Sequence, residues 1–269
     1  MIRLMILEVG RKTMRKIADI VFGKLLKLGE IITKKNRKNI MRYGSKYGGW
    51  YMPKTIQLDE HDICISAGAG EDISFECELA ERFPCNIYIM DPTPRAIAHF
   101  NNLQEAVKKG ESFKINNHQD EFYKISEKNL KRIKYFDYGL SNKNSSEKFY
   151  YPVNNEWVSC SIIADEQSEK FFVAECVTYK GLIEKLLLNY NDVKVVKMDI
   201  EGSEYEVIEN MVKEGSLPDV LCFEIHKKSS RAIYSMLCLY YLIHKAGMRL
   251  YYLENQDILF MKNSELVYL

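Results

Sequence analysis

The stretch VVKMDIEGSE, residues 195–204, predicts a buried strand that ends in two carboxylates and a glycine and then enters a helix. Acidic groups at the carboxyl end of a strand lie where ligands bind in an open α/β sheet. Asp199 and Glu201 are therefore candidate catalytic residues. Alternation along an extended chain predicts that their side chains point to the same side. One acid could bind a cofactor or a substrate hydroxyl while the other acts as a general base.

Alternating strands and helices continue on both sides of this stretch. Further short apolar runs with the pattern of buried strands occur at 63–65, 86–90, 133–136 and 220–225. Two final strands, 249–253 and 258–262, are separated by a four-residue turn, which predicts antiparallel pairing. The sequence therefore predicts an α/β fold with a mostly parallel sheet, an antiparallel terminal strand and helices on both faces. Residues 141–178 interrupt the pattern and predict an inserted hairpin.

The charge distribution divides the chain. Residues 1–46 carry 13 Lys and Arg against 3 Asp and Glu, a balance of +10, whereas the remainder carries 25 against 34, a balance of −9. We therefore predict a basic helical N-terminal extension at 1–46 and the α/β domain at 47–269.

The extension contains an apolar stripe at helical spacing, formed by Ile17, Val21, Leu25, Leu28 and Ile32. Such a stripe can rest on an anionic surface, either lipid headgroups or an acidic glycan. It can also dock on the α/β domain or on a second subunit, which is the commoner use of an apolar helix face. A peripheral membrane contact and a homodimer are thus both open.

The seven cysteines are scattered, odd in number and never spaced as C-x-x-C. This pattern argues against a disulfide framework or a zinc site and favours a cytoplasmic protein. No apolar run approaches the roughly 20 residues that span a bilayer.

A glycine turn follows the first strand and connects it to the first helix. Such a turn lets a ligand approach the backbone closely. Dinucleotide-binding enzymes use G-x-G-x-x-G there, but the third position is Ile73, and the neighbouring acids would repel a pyrophosphate. S-adenosylmethionine fits better, because it carries two cationic groups and no phosphate; an NAD-dependent oxidoreductase is the alternative. The candidate cofactor-binding residues of the turn are Ser66, Ala67, Gly68, Gly70, Glu71 and Asp72.

Other strand ends carry further candidates. Asp91 follows the second strand, about 20 residues after the glycine turn, which is the spacing of a ribose-binding acid. Asp137 and Tyr138 close the third strand and are candidate adenine contacts. Glu224 and His226 end another strand, and a histidine is suited to accept a proton from an alcohol near neutral pH. Each position also has a purely structural interpretation, as a turn residue or as a histidine bonded to a neighbouring loop.

These segments together resemble the FkbM family of S-adenosylmethionine-dependent methyltransferases. The matching segments are Ile63–Phe75, Tyr88–Pro92, Tyr138–Ser141, Val177–Leu182, Lys197–Val207 and Asp219–His226. The most specific is Lys197–Glu204, where the family pattern is Lys-hydrophobic-Asp-hydrophobic-Glu-Gly-small-Glu. The resemblance extends over roughly residues 43–262.

The resemblance implies a class I, Rossmann-like methyltransferase fold and O-methylation of a hydroxyl on a sugar, polysaccharide or secondary metabolite. It assigns Gly68, Gly70 and Asp91 to the cofactor, and it places Asp199, Glu201 and His226 in the catalytic cleft. A loop at Gly48–Trp50, before the first strand, is expected to cover the cofactor or substrate.

The chain departs from the family pattern at three positions. Ser66 stands where the family commonly has Asp, Asp72 where it has Gly, and Asp91 where it has Glu. These changes indicate a sub-branch and concern the cofactor contacts in particular.

The expected partner is a small-molecule or glycan acceptor. Nucleic acid is not expected, because the body of the protein is net negative and carries no aromatic-plus-basic strand signature. A divalent metal held by Asp199, Glu201 and Glu224 is a variation that we rank below a metal-free mechanism. A non-catalytic binding module built on the basic extension is a further alternative.

Overall fold

A computed structural model describes residues 20–115, 120–152, 160, 170–226 and 232–264, with only the backbone described at 232–235. The strands of this part are β1 (Ile40–Tyr43), β2 (Trp50–Pro53), β3 (Ile63–Ala67), β4 (Asn86–Met90), β5 (Ile133–Phe136), β6 (Gly139–Leu140), β7 (Ser145–Tyr150), β8 (Phe171–Val177), β9 (Val193–Met198), β10 (Val220–Glu224), β11 (Met248–Glu254) and β12 (Asp257–Lys262). The α-helices are α1 (20–33), α2 (Ser74–Arg82), α3 (Pro94–Lys109), α4 (Glu127–Leu130), α5 (Tyr179–Lys185), α6 (Glu204–Glu214) and α7 (Ala232–Lys245).

Seven strands form the central sheet in the order β11-β12-β10-β9-β3-β4-β5. The five strands from β10 to β5 are parallel, and β12 lies antiparallel between β10 and β11. Helices pack on both faces of this sheet. The predicted fold class is therefore confirmed, and β9 ends directly before Asp199, as predicted.

Strand β9 is buried on both sides because it lies in the middle of the sheet. Val196 and Met198 pack on the face covered by α5, α6 and α7. Val195 packs on the opposite face, where α2 and the β1–β2 pair contribute to the core. This double burial explains why β9 reads as a continuous apolar run in the sequence.

The β1–β2 pair covers part of one sheet face. The two strands are antiparallel, with Tyr43 opposite Trp50. Met52 of β2 is fully buried, and its Sδ lies 3.7 Å from Cys222 Sγ in β10. The loop predicted at Gly48–Trp50 corresponds to the connection 44–49 between these two strands, and Trp50 already belongs to β2. The predicted boundary at 46/47 falls within this loop, between two paired strands.

The predicted inserted hairpin is present. Strands β7 and β8 pair antiparallel, and β6 joins β8 in parallel to give a three-stranded sheet. Most of the connection between β7 and β8, including Trp157, Ser159 and Ser161, lies outside the described residues. All seven cysteines of the chain are free thiols.

Helix α1 docks on the domain through a different face from the predicted one. Phe22 is buried in the main core, and Leu253 N donates a hydrogen bond to Thr33 Oγ1 at 3.2 Å. By contrast, Val21, Leu28 and Ile32 of the predicted stripe are exposed. Leu25 of the same stripe is half-buried. Ile17, the first residue of the stripe, lies outside the described residues. No helix in the described part of the chain is long and apolar enough to cross a membrane.

The switch point of the sheet lies between β3 and β9, because the chain leaves β3 toward β4 and leaves β9 toward β10. Ligands of open α/β folds bind outside the carboxyl ends of the strands at such a point. Here Asp199 N donates to Ala67 O at 2.9 Å, and Gly68 follows with a φ of +75°. A Cβ added at Gly68 would lie 1.7 Å from the carbonyl oxygen of Asp199. Only glycine therefore fits between the two strand ends.

We expect Gly68→Ala to destabilise the protein more than Gly110→Ala. Both glycines have a positive φ, at which an L-residue costs about 1–2 kcal/mol, but a Cβ at Gly110 meets nothing within 4 Å. The clash with Asp199 should add about 1–3 kcal/mol, the usual range for overpacking. Urea unfolding of the two variants measures the difference. Equal losses would contradict the close approach of the two strand ends.

Candidate active site

His226 lies at the centre of a group of carboxylates at the carboxyl edge of the sheet. Its Nδ1 is 3.0 Å from Glu204 Oε1. Its Nε2 is 3.6 Å from Asp199 Oδ1 and 3.7 Å from both Glu201 Oε2 and Glu224 Oε2. The imidazole is thus surrounded by acids on both nitrogens, and its side chain is 14% exposed. The structure brings together the predicted Asp199, Glu201 and His226.

The turn after β9 places two of these acids. The strand ends at Met198, and Glu201 and Gly202 then take positive φ values of 57° and 107°. The two side chains do lie on one side, as predicted, but alternation along an extended chain is not the reason, because the chain is no longer extended at Glu201. The turn nevertheless brings both carboxylates close to His226 Nε2.

Glu204 is a site residue that the sequence reasoning missed. It is the first residue of α6, and only 1% of it is exposed. Its Oε1 accepts a hydrogen bond from Ile200 N at 2.8 Å, and its Oε2 accepts one from Gly202 N at 2.9 Å. The carboxylate that contacts His226 therefore also closes the turn after β9. The sequence signal for it was its position as the last residue of the family pattern at Lys197–Glu204.

The pKa of His226 is raised to about 9. Burial alone would lower it, but the hydrogen bond to Glu204 and the negative charges of Glu204, Asp199 and Glu201 outweigh the burial. The imidazole therefore carries a proton at neutral pH, because protonation gives each neighbouring carboxylate a cation.

Three acids at this edge of the sheet hold protons more tightly than isolated carboxyls do. Burial and the charge of Asp199 raise the pKa of Glu224 to about 7. Burial also raises the pKa of Asp199, against the opposing charges of Lys197 and His226. Asp257, at the start of β12, has its pKa raised to about 6 by burial and by Asp199. The pKa of Glu224 thus lies close to neutral pH.

Lys197 stabilises the glycine turn by a hydrogen bond from inside β9. It is 4% exposed and lies one residue inside the carboxyl end of β9. Its Nζ donates to the carbonyl oxygen of Gly68 and lies 5.5 Å from the centroid of the Trp50 ring. A lysine within an otherwise apolar strand is a sequence signal of such a role, since burying an unpaired ammonium is costly.

Asp91 organises the glycine turn. Its Oδ2 accepts hydrogen bonds from Ala69 N and Gly70 N, both at 2.9 Å, and its Oδ1 accepts one from Thr93 N at 2.8 Å. The buried carboxylate therefore fixes the loop that follows β3. Its predicted contact with a ribose stays a prediction.

Two predicted cofactor residues of the turn have other partners. Ser66 is fully buried, and its hydroxyl donates to Glu76 Oε1. Glu71 receives two hydrogen bonds from Arg95, at 3.1 and 2.6 Å. Both side chains thus bond to other residues of the protein. Their predicted contacts with a cofactor stay predictions.

Asp72 holds the loop 44–49 against the glycine turn. Its Oδ2 accepts from Ser45 Oγ at 2.6 Å and from Gly48 N at 3.2 Å. In this loop Tyr47 is 76% exposed. Partial burial and the charges of Asp199 and Asp72 raise the pKa of Tyr47. The expectation that this loop covers the cofactor or substrate stays a prediction.

Asp137 and Tyr138 lie at the end of β5, away from the acids described above. Asp137 is exposed, and Lys185 Nζ lies 3.8 Å from the centroid of the Tyr138 ring. Their predicted contact with an adenine stays a prediction.

Three donor atoms of the site have the spacing of a metal site. One atom each of Asp199, Glu224 and His226 lies within 4.8 Å of the others. Oxygen and imidazole ligands suit several divalent cations. A metal must displace the proton on the imidazole, however, and the pKa of about 9 opposes this displacement at neutral pH.

A family model described as the methyltransferase FkbM domain matches residues 80–250. No curated protein sequence matches the chain. A solved structure described as a "putative rRNA-methylase" from Clostridium thermocellum is similar at 8% identity and a TM-score of 0.34, covering 77% of this chain and 91% of that chain. A TM-score this low supports no inference about this chain.

We expect Glu204→Gln to lower the pKa of His226 from about 9 toward the ordinary value of about 6.5. The substitution removes the charge that stabilises the imidazolium. An NMR titration of the His226 ring, assigned with His226→Asn, measures the change. Glu206→Gln is the matched control, since Glu206 is an exposed acid on the same first turn of α6. An unchanged His226 titration in Glu204→Gln would contradict this role.

Proposed function

The chain belongs to the FkbM methyltransferase family, and from this premise we propose that it transfers a methyl group from S-adenosylmethionine to a hydroxyl group. The proposed acceptor is a sugar, a polysaccharide or a secondary metabolite. The sheet has the strand order of a class I methyltransferase, with the site at the carboxyl ends of its parallel strands. The observation that carries the proposal is the group of acids around His226 beside the glycine turn.

The charge of the site fits the proposed cofactor. Five carboxyl groups meet at this edge, those of Asp199, Glu201, Glu204, Glu224 and Asp257, against the nearby cations His226, Lys197 and Arg42. The excess of acids favours the sulfonium and ammonium groups of S-adenosylmethionine. Space is also available, because nothing lies within 4 Å of where a Cβ of Gly70 would be.

The residues that would hold the cofactor are those of the turn Gly68–Gly70, Asp91 and one acid of the site. When bound, S-adenosylmethionine supplies an electrophilic methyl group on a positively charged sulfur. The protein's contribution is to orient the acceptor hydroxyl toward that position, to exclude water and to accept a proton. Asp199 and Glu201 lie where a hydroxyl could be oriented, next to His226 Nε2.

The proton acceptor we favour is Glu224. The sequence pointed to His226 or Glu201 as the base, but a His226 with a pKa of about 9 already carries a proton at neutral pH. Glu224, with a pKa of about 7, is half deprotonated there and lies 3.7 Å from His226 Nε2. A base is most effective when its pKa is close to the working pH. The protonated His226 then holds the carboxylates in place by its charge.

The hydrogen bonds of Asp91 argue against the NAD-dependent oxidoreductase. In dinucleotide-binding enzymes the backbone N–H groups of the glycine turn face the pyrophosphate. Here Ala69 N and Gly70 N donate to the Asp91 carboxylate instead. This leaves a negative charge where a pyrophosphate would need donors.

Calorimetry with S-adenosylhomocysteine and with NADH separates the two enzyme classes. We expect S-adenosylhomocysteine to bind and NADH to show no saturable heat, because the acids favour a cofactor without phosphates. Binding of NADH in preference to S-adenosylhomocysteine would contradict the proposed function.

The pH dependence of methyl transfer tests the roles of Glu224 and His226. The rate should rise as Glu224 loses its proton near pH 7 and should fall as His226 loses its proton near pH 9. Transfer of labelled methyl to a panel of sugars identifies an acceptor, and kcat is then followed against pH. Glu224→Gln should remove the rising limb, and His226→Asn the falling limb. A Glu224→Gln variant that keeps the wild-type profile would contradict the assignment of the base.

Removal of divalent metals distinguishes the metal-free mechanism from its metal-dependent variation. We expect kcat to be unchanged in excess chelator, because the proton on His226 disfavours metal binding at neutral pH. A complete loss of activity that Mg²⁺ restores would show instead that Asp199, Glu224 and His226 hold a metal.

A further inference from the structure

We propose that α1 docks this protein on a membrane surface that contains anionic lipids. The docking surface is the outer face of α1, formed by Ile20, Val21, Leu28, Ile31 and Ile32. Their side chains are between 41% and 62% exposed. Five large apolar side chains on one exposed helix form a patch of the kind that marks an interaction surface.

The domain holds α1 by the opposite face, so the outer face stays directed away from it. Phe22 is buried in the core, and a Cβ at Gly29 would lie 3.0 Å from Leu253 Cδ1. Glu30 Oε1 accepts a hydrogen bond from Asn255 N at 2.7 Å. These contacts fix the rotation of the helix about its axis.

The charges beside the outer face fit an anionic bilayer. Lys24, Lys27, Lys34 and Lys35 are exposed along and just beyond α1. Glu30 is the single acidic residue among residues 20–46, and its carboxylate binds the β11–β12 turn. Lys24 lies on the outer face itself, one turn from both Ile20 and Leu28. A helix with an apolar face and long lysine side chains that reach the headgroups lies in the interface of a membrane.

Other occupants fit this surface less well. An acidic glycan would pair with the lysines but offers no apolar phase for Leu28 or Ile32. A second copy of the chain could cover the apolar side chains, but a two-fold interface would bring the lysines of both copies together. A bilayer with anionic lipids satisfies both the apolar and the basic groups.

The docked helix is linked to the candidate active site. Glu30 binds Asn255 in the β11–β12 turn, and the next residue, Gln256, accepts a hydrogen bond at its carbonyl from Ile225 N at 2.9 Å. Ile225 directly precedes His226. The surface proposed to face the membrane is thus connected, through one turn, to the edge that holds the acids. The proposal does not depend on the reaction that the site catalyses.

Vesicle co-sedimentation of the full chain tests the proposal. We expect binding to phosphatidylcholine vesicles with about 30% phosphatidylserine to be about tenfold or more tighter than binding to pure phosphatidylcholine. Leu28→Asp/Ile32→Asp should weaken the binding about tenfold or more, and so should Lys24→Gln/Lys27→Gln/Lys34→Gln, since each removes one of the two attractions.

Matched controls exclude effects of surface charge or folding. Val173→Asp changes an equally exposed apolar residue on β8, and Lys108→Gln/Lys109→Gln/Lys128→Gln removes three exposed lysines of α3 and α4. Both should bind as the wild type does, and all variants should keep its thermal melting temperature. The proposal is overturned if wild type does not bind anionic vesicles, or if Leu28→Asp/Ile32→Asp binds them equally well. It is also overturned if sedimentation velocity shows a dimer that this double variant abolishes.

Discussion

The candidate site depends on one buried carboxylate, that of Glu204. A carboxylate at 1% exposure is costly unless donors surround it. Three donors do so here: two backbone N–H groups of the turn after β9 and the Nδ1 of His226. The same side chain therefore fixes the turn that carries Asp199 and Glu201 and orients the imidazole between them. Without it, the N–H groups of Ile200 and Gly202 and the Nδ1 of His226 lose the carboxylate that they share.

The glycine turn and the β9 turn are held to each other across the switch point of the sheet. Lys197 donates to Gly68 O, Asp199 N donates to Ala67 O, and Asp91 gathers the N–H groups that follow. The acids are thus presented by two turns that cannot move independently. The proposed methyl transfer to a hydroxyl would depend on such a rigid placement of acids.

Much of this architecture follows from local sequence pattern. The bounds of β9, the antiparallel end of the sheet and the convergence of Asp199, Glu201 and His226 could be predicted, because burial periodicity and strand order determine them. Contacts between distant residues could not. Glu204 with His226, Ser45 with Asp72 and the choice of docking face on α1 depend on packing that no local window contains. In α1, three residues of the predicted apolar stripe lie on the exposed face, and the core buries Phe22 from the other face.

The central claim is that the acids around His226 form one wall of the methyl-transfer site. A crystal structure of the protein with S-adenosylhomocysteine tests it most directly. The account predicts that the sulfur lies at the carboxyl edge of β3 and β9, between the turn Gly68–Gly70 and His226, with open space beside Glu224. A sulfur bound elsewhere, with the acids around His226 remote from it, would contradict the account.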